Sequence, residues 1–313
     1  MPLDPQAKAM LDAAQALGLP PLHECSVFEA RERAVKMRPQ DAIPAPVAKV
    51  TDVTIAGPGG DLPLRIYTPK GAGPFPVLVY FHGGGYVVCN LDTHDQLCHE
   101  LCHESGTMIV SVDYRLAPEN KFPAATNDCL AAARWAGEHI GDFNGDASRI
   151  ALGGDSCGGT LATVTNIRVR DEGGPAIRGQ LLIYPITDYY DPPTQSYIDN
   201  ADGYFLTRDG MKWFYDHYLT DPAQADNPHV APLRCPDLGG LAPAYVITAE
   251  FDPLRDEGDN YARRLAEAGV NTVHKPYPGM IHGFYSQIGI LDRTATAITD
   301  SCDWLKSIFH SRS

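Results

Sequence analysis

The stretch Leu152-Gly153-Gly154-Asp155-Ser156-Cys157-Gly158-Gly159-Thr160 constrains the fold more than any other part of the chain. Arg149 to Leu152, just before it, reads as a short strand, and Thr160 to Arg170, just after it, reads as a helix. Gly154 to Gly158 therefore fits G-x-S-x-G in a strand–turn–helix setting. A turn tight enough to push a serine hydroxyl clear of the chain strains its backbone, and glycines let the neighbouring segments pass closely. The N–H of Cys157, at the start of the helix, can then face an anion beside Ser156. Taken alone, the pentapeptide suits a plain glycine-rich turn equally well.

The elements around it decide the class. The segment from 5 to 38 looks helical, with Met10, Ala13, Ala14 and Leu17 on one face of its first helix. Gly18-Leu19-Pro20-Pro21 breaks it, and a second helical run follows from Val27 to Met37. Alternating strands Val50–Ile55 and Leu62–Tyr67 form a hairpin through Gly57-Pro58-Gly59-Gly60. Val77–Phe81 is continuously apolar, the mark of a strand buried on both faces. Helices and strands then alternate. Helices are expected from about Thr93, over Ala124–His139, after the serine turn, over Asp256–Ala268 and near Ala295–Phe309. Strands are expected at Met108–Val112, Ile150–Leu152, Gln180–Tyr184, Ala244–Ala249 and Thr272–Lys275. Such alternation predicts an α/β fold with a mostly parallel sheet covered on both faces. Residues 187 to 225 interrupt it with nine aromatic side chains, far more chain than a simple crossover needs. A lid over a pocket and a surface helix buried on its own aromatics are both compatible with that composition.

Composition narrows the partners. Asp and Glu exceed Lys and Arg by 39 to 25, a net charge of -14, which disfavours nucleic acid and anionic membranes. The eight cysteines include no C-x-x-C pair, and in a chain of 313 residues they read as reduced, mostly buried thiols of a cytoplasmic protein. Met1 to Pro5 lacks the basic and apolar regions of an export signal, and no apolar run is long enough to span a bilayer.

A serine hydroxyl at neutral pH needs a base, and the base needs an orienting acid. After the serine turn, two strand ends offer them in the order Ser…Asp…His: Asp252 in the 250–258 segment and His282 in the 278–284 segment. In a parallel sheet these strand ends share one edge, so Ser156, Asp252 and His282 can converge. Asp256 and Glu257 compete for the acid role but read as first-turn carboxylates facing a helix dipole. Glu250 competes too, though it can lie within the strand. Gly83-Gly84-Gly85, after the third strand, leaves backbone N–H groups unobstructed for a developing oxyanion.

His82-Gly83-Gly84-Gly85, Tyr114-Arg115-Leu116-Ala117-Pro118-Glu119, Gly154 to Gly159, Asp252 to Gly258 and His282-Gly283-Phe284 together resemble the signature set of hormone-sensitive-lipase-like esterases, the bacterial type above all. The resemblance runs from about Val50 to the C-terminus. It implies an α/β-hydrolase fold with a helical cap. The cap would comprise residues 1–45 and the insertion 187–225, and the core residues 46–186 and 226–313. It also implies hydrolysis of small-molecule carboxylic esters with short to medium acyl chains and no cofactor or metal, and leaves a homodimer as an open option. The family's nucleophile, acid and base fall on Ser156, Asp252 and His282, and its oxyanion donors on Gly83, Gly84 and the N–H of Cys157. The family usually carries alanine at the Cys157 position, where only the backbone N–H takes part in the mechanism.

Two other classes compete. His99-Glu100-Leu101-Cys102-His103 is H-E-x-x-H, a zinc-peptidase pattern, and Gly106 fits its longer form. However, Leu97, Cys98, Leu101 and Cys102 make the apolar stripe of that helix, which turns His99 and His103 to solvent, and Ile109 stands where a third ligand is needed. A non-catalytic receptor on the same fold, like the plant gibberellin receptors, would lack the histidine that His282 supplies.

Overall fold

A computed structural model describes residues 2–37 and 43–310; positions 38–42 of the expected N-terminal segment lie outside the described residues. In chain order the elements are α1 (Pro5–Ala16), α2 (Val27–Lys36), β1 (Lys49–Gly57), β2 (Gly60–Thr68), β3 (Phe75–Phe81), α3 (Asp95–Ser105), β4 (Met108–Val112), α4 (Ala124–His139) and β5 (Gly145–Asp155). They continue with α5 (Cys157–Glu172), β6 (Ile177–Ile183), α6 (Gln195–Asp199), α7 (Arg208–Tyr218), β7 (Ala244–Phe251), α8 (Arg255–Glu267), β8 (Thr272–Ile281) and α9 (Asp292–His310). The strands form one eight-stranded sheet in the order β1-β2-β4-β3-β5-β6-β7-β8. Pairings β1–β2 and β2–β4 are antiparallel and the rest are parallel.

The continuous apolar run of β3 has its cause in this layering. Val77, Val79 and Phe81 join the core on the side of α4, α5 and α8, while Leu78 and Tyr80 join the core on the side of α3 and α9. Successive side chains point to opposite faces, and both faces are covered. Every parallel strand ends at one edge of the sheet. The loops after β3, β5, β6, β7 and β8 therefore meet there, carrying His82, Ser156, Tyr184, Asp252 and His282.

Two strand ends and one helix face depart from expectation in ways that bear on the site. Strand β8 runs on through Pro276 and Pro278 to Ile281, past the expected end at Lys275. It is an edge strand, where a missing N–H costs no ladder bond on the outer side. Strand β7 extends to Phe251, so Glu250 lies inside it. Helix α1 does not bury the expected stripe: Leu17 is 64% exposed, and Ala7 is its one buried residue. The helix is held at its start, where Asp4 N–H donates to the Gly279 carbonyl at 3.0 Å and Asp4 Oδ1 accepts from Gln6 N–H at 2.8 Å. Helix α2 reaches further: Arg31 Nε donates to the Val87 carbonyl and Nη2 to the Ala117 carbonyl, both at 2.9 Å.

Within the insertion, the aromatics of α7 pack on the glycine loop and not only on one another. Tyr218 stacks on Tyr86 with centroids 3.8 Å apart, and the Phe214 ring occupies the space a side chain at Gly85 would need. No helix among the described residues is long and apolar enough to cross a membrane.

Candidate active site

Ser156 stands between β5 and α5 with φ 56 and ψ -124, a backbone region costly for any residue with a side chain. The strain persists because the turn is wedged from behind. A Cβ on Gly158 would collide with the carbonyl of Phe81, so the α5 start packs directly on the end of β3. Ser156 N–H is fixed by the Ile183 carbonyl at 2.8 Å. With its backbone so held, the hydroxyl stands 3.1 Å from His282 Nε2.

His282 follows β8 directly, and its Nδ1 lies 2.7 Å from Asp252 Oδ2. The other carboxylate oxygen, Oδ1, accepts the Leu254 N–H at 2.9 Å, which fixes the rotation of the carboxylate. Asp252 is wholly buried, and Ser156 and His282 nearly so. Tyr184, after β6, lies against the imidazole with centroids 4.5 Å apart. The three residues picked from chain order thus form one continuous row of hydrogen-bonding groups. With Nδ1 protonated toward the carboxylate, Nε2 is left as an acceptor for the serine proton.

The glycine loop corrects one expectation. Gly83 N–H donates to Asp155 Oδ1 at 3.0 Å and also faces His94 Nε2 at 3.4 Å, so it is not free to meet an oxyanion. By contrast, no hydrogen bond among the described residues uses the N–H of Gly84 or Gly85. Cys157 is the first residue of α5, and its N–H has no carbonyl one turn earlier within the helix. The next N–H, that of Tyr86, donates to Cys157 Sγ at 3.2 Å, while Val87 and Val88 N–H donate to the Gly84 carbonyl. The fitting donor set is therefore Gly84, Gly85 and Cys157, one residue further along the loop than expected.

Several motif residues to which the sequence assigns no role of their own brace this arrangement. Asp155, the variable position of G-x-S-x-G, also accepts Tyr80 OH at 2.7 Å and lies 3.2 Å from His94 Nε2. Burial works to raise the Asp155 pKa, yet the His94 and Tyr80 contacts outweigh it and hold the carboxyl below its usual range. A charged residue in an apolar strand end was the available signal. Tyr114 OH donates to the His82 carbonyl at 2.6 Å, and burial pushes the His82 imidazole down to about 3, which keeps it neutral. Burial likewise pushes the Cys157 thiol up to about 12.

Glu257 is not a dipole-facing surface carboxylate. It is wholly buried, with Oε1 accepting Thr187 N–H at 2.7 Å, and burial pushes its carboxyl well above the usual range. Asp256 does sit in the first turn of α8, as expected. Of the H-E-x-x-H pair, only His103 faces solvent. His99 is largely covered, with Nδ1 2.8 Å from the Ala45 carbonyl and its ring edge-on to Tyr67. No cluster of three or more His, Cys, Asp or Glu side chains among the described residues is arranged to hold a metal ion.

Comparison with known proteins agrees with this architecture. The profile of a family described as having the alpha/beta hydrolase fold matches residues 78–286. The carboxylic ester hydrolase LipN of Mycobacterium tuberculosis is 41% identical over 293 residues, covering 90% of this chain and 77% of that protein. The carboxylesterase NlhH of the same organism is 37% identical, covering 99% and 97%. Among solved structures, the ester-hydrolase EH1AB1 from the metagenome of Lake Arreo superposes with a TM-score of 0.94 at 40% identity, covering 99% of this chain and all of that one. The hyperthermophilic esterase of Pyrobaculum calidifontis gives 0.93 at 39% identity, covering 98% and 99%. By fold, by strand-end arrangement and by likeness along nearly its whole length, the chain belongs to the α/β-hydrolase family, in the hormone-sensitive-lipase-like group its motifs resemble.

Proposed function

We propose that the protein hydrolyses carboxylic esters of short to medium acyl chain through an acyl-enzyme on Ser156. The observation that carries this reading is the row Ser156–His282–Asp252, with 3.1 Å and 2.7 Å separations, at the edge where the glycine loop also ends. The esterases among its relatives support the substrate class.

In this reading the ester carbonyl lies against Ser156 Oγ. His282 Nε2 takes the hydroxyl proton as Oγ bonds to the carbonyl carbon, and Asp252 stabilises the imidazolium that forms. The carbonyl oxygen gains the charge and is met by the N–H groups of Gly84, Gly85 and Cys157, aided by the positive end of α5. The tetrahedral carbon then expels the alkoxide, which leaves with the proton from His282. Water, deprotonated by the same imidazole, releases the acid and regenerates Ser156. No metal or cofactor is called for.

Acyl length follows from crowding. Tyr86, Tyr218 and Phe214 close over the glycine loop, and Phe205 lies against Gly283 next to His282. In this reading the insertion and the N-terminal helices form the cap. A kcat/KM series over p-nitrophenyl esters should peak at short or medium acyl chains. A steady rise to long chains with activation at lipid interfaces would contradict the assignment.

A further inference from the structure

Helix α6 has only five residues, too few to be stable by themselves, and Thr194 at its N-cap makes no capping bond with its side chain. Its start is closed from elsewhere. Ser196 N–H donates to Asp256 Oδ2 at 2.7 Å, and Asp256 N–H donates back to Ser196 Oγ at 3.2 Å. Each helix start thereby satisfies an N–H the other leaves open, a capping box built between two helices instead of within one. The Ser196 hydroxyl also donates to the Pro253 carbonyl at 2.6 Å. Asn200 Nδ2, at the other end of α6, donates to the Asp252 carbonyl at 3.2 Å.

Ser196 and Asn200 are both buried. Their bonds land on Asp252 and Pro253, in the short loop whose first residue faces His282 with its carboxylate, and on Asp256 in the first turn of α8. Thr187, where the insertion leaves β6, is tied to the same helix: its N–H to Glu257 Oε1 and its hydroxyl to the Glu257 carbonyl at 2.8 Å. The insertion is thus fastened through α6 to the loop that aims the carboxylate, and through α7 to the glycine loop.

We propose that Ser196 and Asn200 are positioning residues for Asp252, so that seating of the insertion and assembly of the Asp252–His282 pair are one event. The proposal rests on the assignment of Ser156, Asp252 and His282 made above. When α6 leaves its seat, the Pro253 carbonyl and the Asp256 N–H lose the Ser196 hydroxyl together, the Asp252 carbonyl keeps the Arg255 N–H at 3.1 Å but loses Asn200, and the loop that carries the carboxylate is held less firmly against Nδ1. Hydrolytic competence then depends on the insertion having closed.

The consequence is readable in the pH profile. A carboxylate held at Nδ1 stabilises the imidazolium, so a variant in which it is held less firmly should show the acid limb of kcat/KM at lower pH. The other titratable groups facing the pair are Tyr184 after β6, Tyr197 on α6 and Glu257 on α8, and burial pushes all three well above their usual ranges. They are therefore held protonated, which leaves Asp252 as the carboxylate in direct contact with the imidazole.

The experiment compares Ser196→Ala, Asn200→Ala and Asp252→Asn with the native enzyme on p-nitrophenyl butyrate, with active sites counted by titration with a phosphonate ester. Expected for Ser196→Ala and Asn200→Ala is a fall of ~10-fold in kcat per titrated site. KM should stay within about twofold, and the acid limb should move down by about 0.5 to 1 pH unit. Should Ser196→Ala give no titratable enzyme, Asn200→Ala, which removes a single bond, carries the comparison. An unmoved acid limb in the folded variants overturns the proposal, whether or not activity per site falls. Near-native kcat in Asp252→Asn would instead overturn the triad assignment on which it rests.

Discussion

Replacing Cys157 by alanine tests how this particular chain holds its oxyanion loop. Tyr86 follows Gly85 and has φ 64, an unfavourable value for a residue with a side chain, and its N–H donates to Cys157 Sγ at 3.2 Å. In Cys157→Ala that N–H keeps no acceptor among the described residues. A buried unpaired N–H costs ~1–3 kcal/mol, and the weakness of sulfur as an acceptor puts the loss near the lower end. Removing the sulfur from a wholly buried position adds about 1 kcal/mol for lost burial and the small void. The sum is about 2 kcal/mol, which urea unfolding should register in full. If about half of that loss is also felt in the transition state, because the loop that carries the Gly84 and Gly85 N–H groups is held less firmly, kcat falls ~5-fold. Cys157→Ser retains an acceptor at the same place and should recover most of kcat while remaining less stable than the native protein. Burial has pushed the thiol up to about 12, so thiolate is scarce and a mercurial should inactivate the native enzyme slowly. Equal native-like kcat in the alanine and serine variants would refute the reasoning, and equal mercurial rates in native and Cys157→Ala enzyme would assign the sensitivity to another cysteine.

Asp155→Asn keeps the shape but removes the charge from bonds to Tyr80, Gly83 and His94, and should cost ~2 kcal/mol of stability together with a fall in kcat. Because the native carboxyl is held below its usual range, its contribution is present above the unfolded pKa of about 4 and lost as pH falls through the folded value. The gap between the two proteins in urea midpoint should therefore shrink in acid; a constant gap would contradict it. Glu257 behaves oppositely. Its folded pKa is raised, so its contribution is complete below about pH 4 and lost as pH rises through the folded value. Glu257→Gln should gain on the native protein as pH rises above the ordinary glutamate range, and a pH-independent difference in midpoint would contradict this. A chelator should leave turnover unchanged, whereas inhibition reversed by Zn²⁺ would revive the His99–His103 pattern.

What the sequence disclosed and what it hid divide along physical lines. Strand–helix alternation follows from burial periodicity, and the sheet edge that collects Ser156, Asp252 and His282 follows from parallel strands, so both were legible. The β8 boundary was not, because prolines at 276 and 278 argue against a strand unless its place at the edge is known. The burial of Glu257 and the covering of His99 depend on what packs on their helices from distant segments, Thr187 and Ala45, which no local pattern encodes. The choice between Gly83 and Gly85 turns on where the Gly83 N–H goes, chiefly to Asp155 across 72 positions of chain. The seat of α6 on the 252–256 loop is likewise a meeting of short segments that carry no periodic signal.

The central claim is that Ser156 carries the acyl group. Treating the protein with a fluorophosphonate and following activity with mass of the modified peptide tests it most directly. One equivalent should abolish ester hydrolysis, the added mass should lie on the peptide containing Ser156, and Ser156→Ala should take up no label and lose roughly 10⁶-fold in kcat, as a deleted serine nucleophile does in subtilisin. Near-native turnover by Ser156→Ala, or full activity in enzyme labelled at that peptide, would contradict the account.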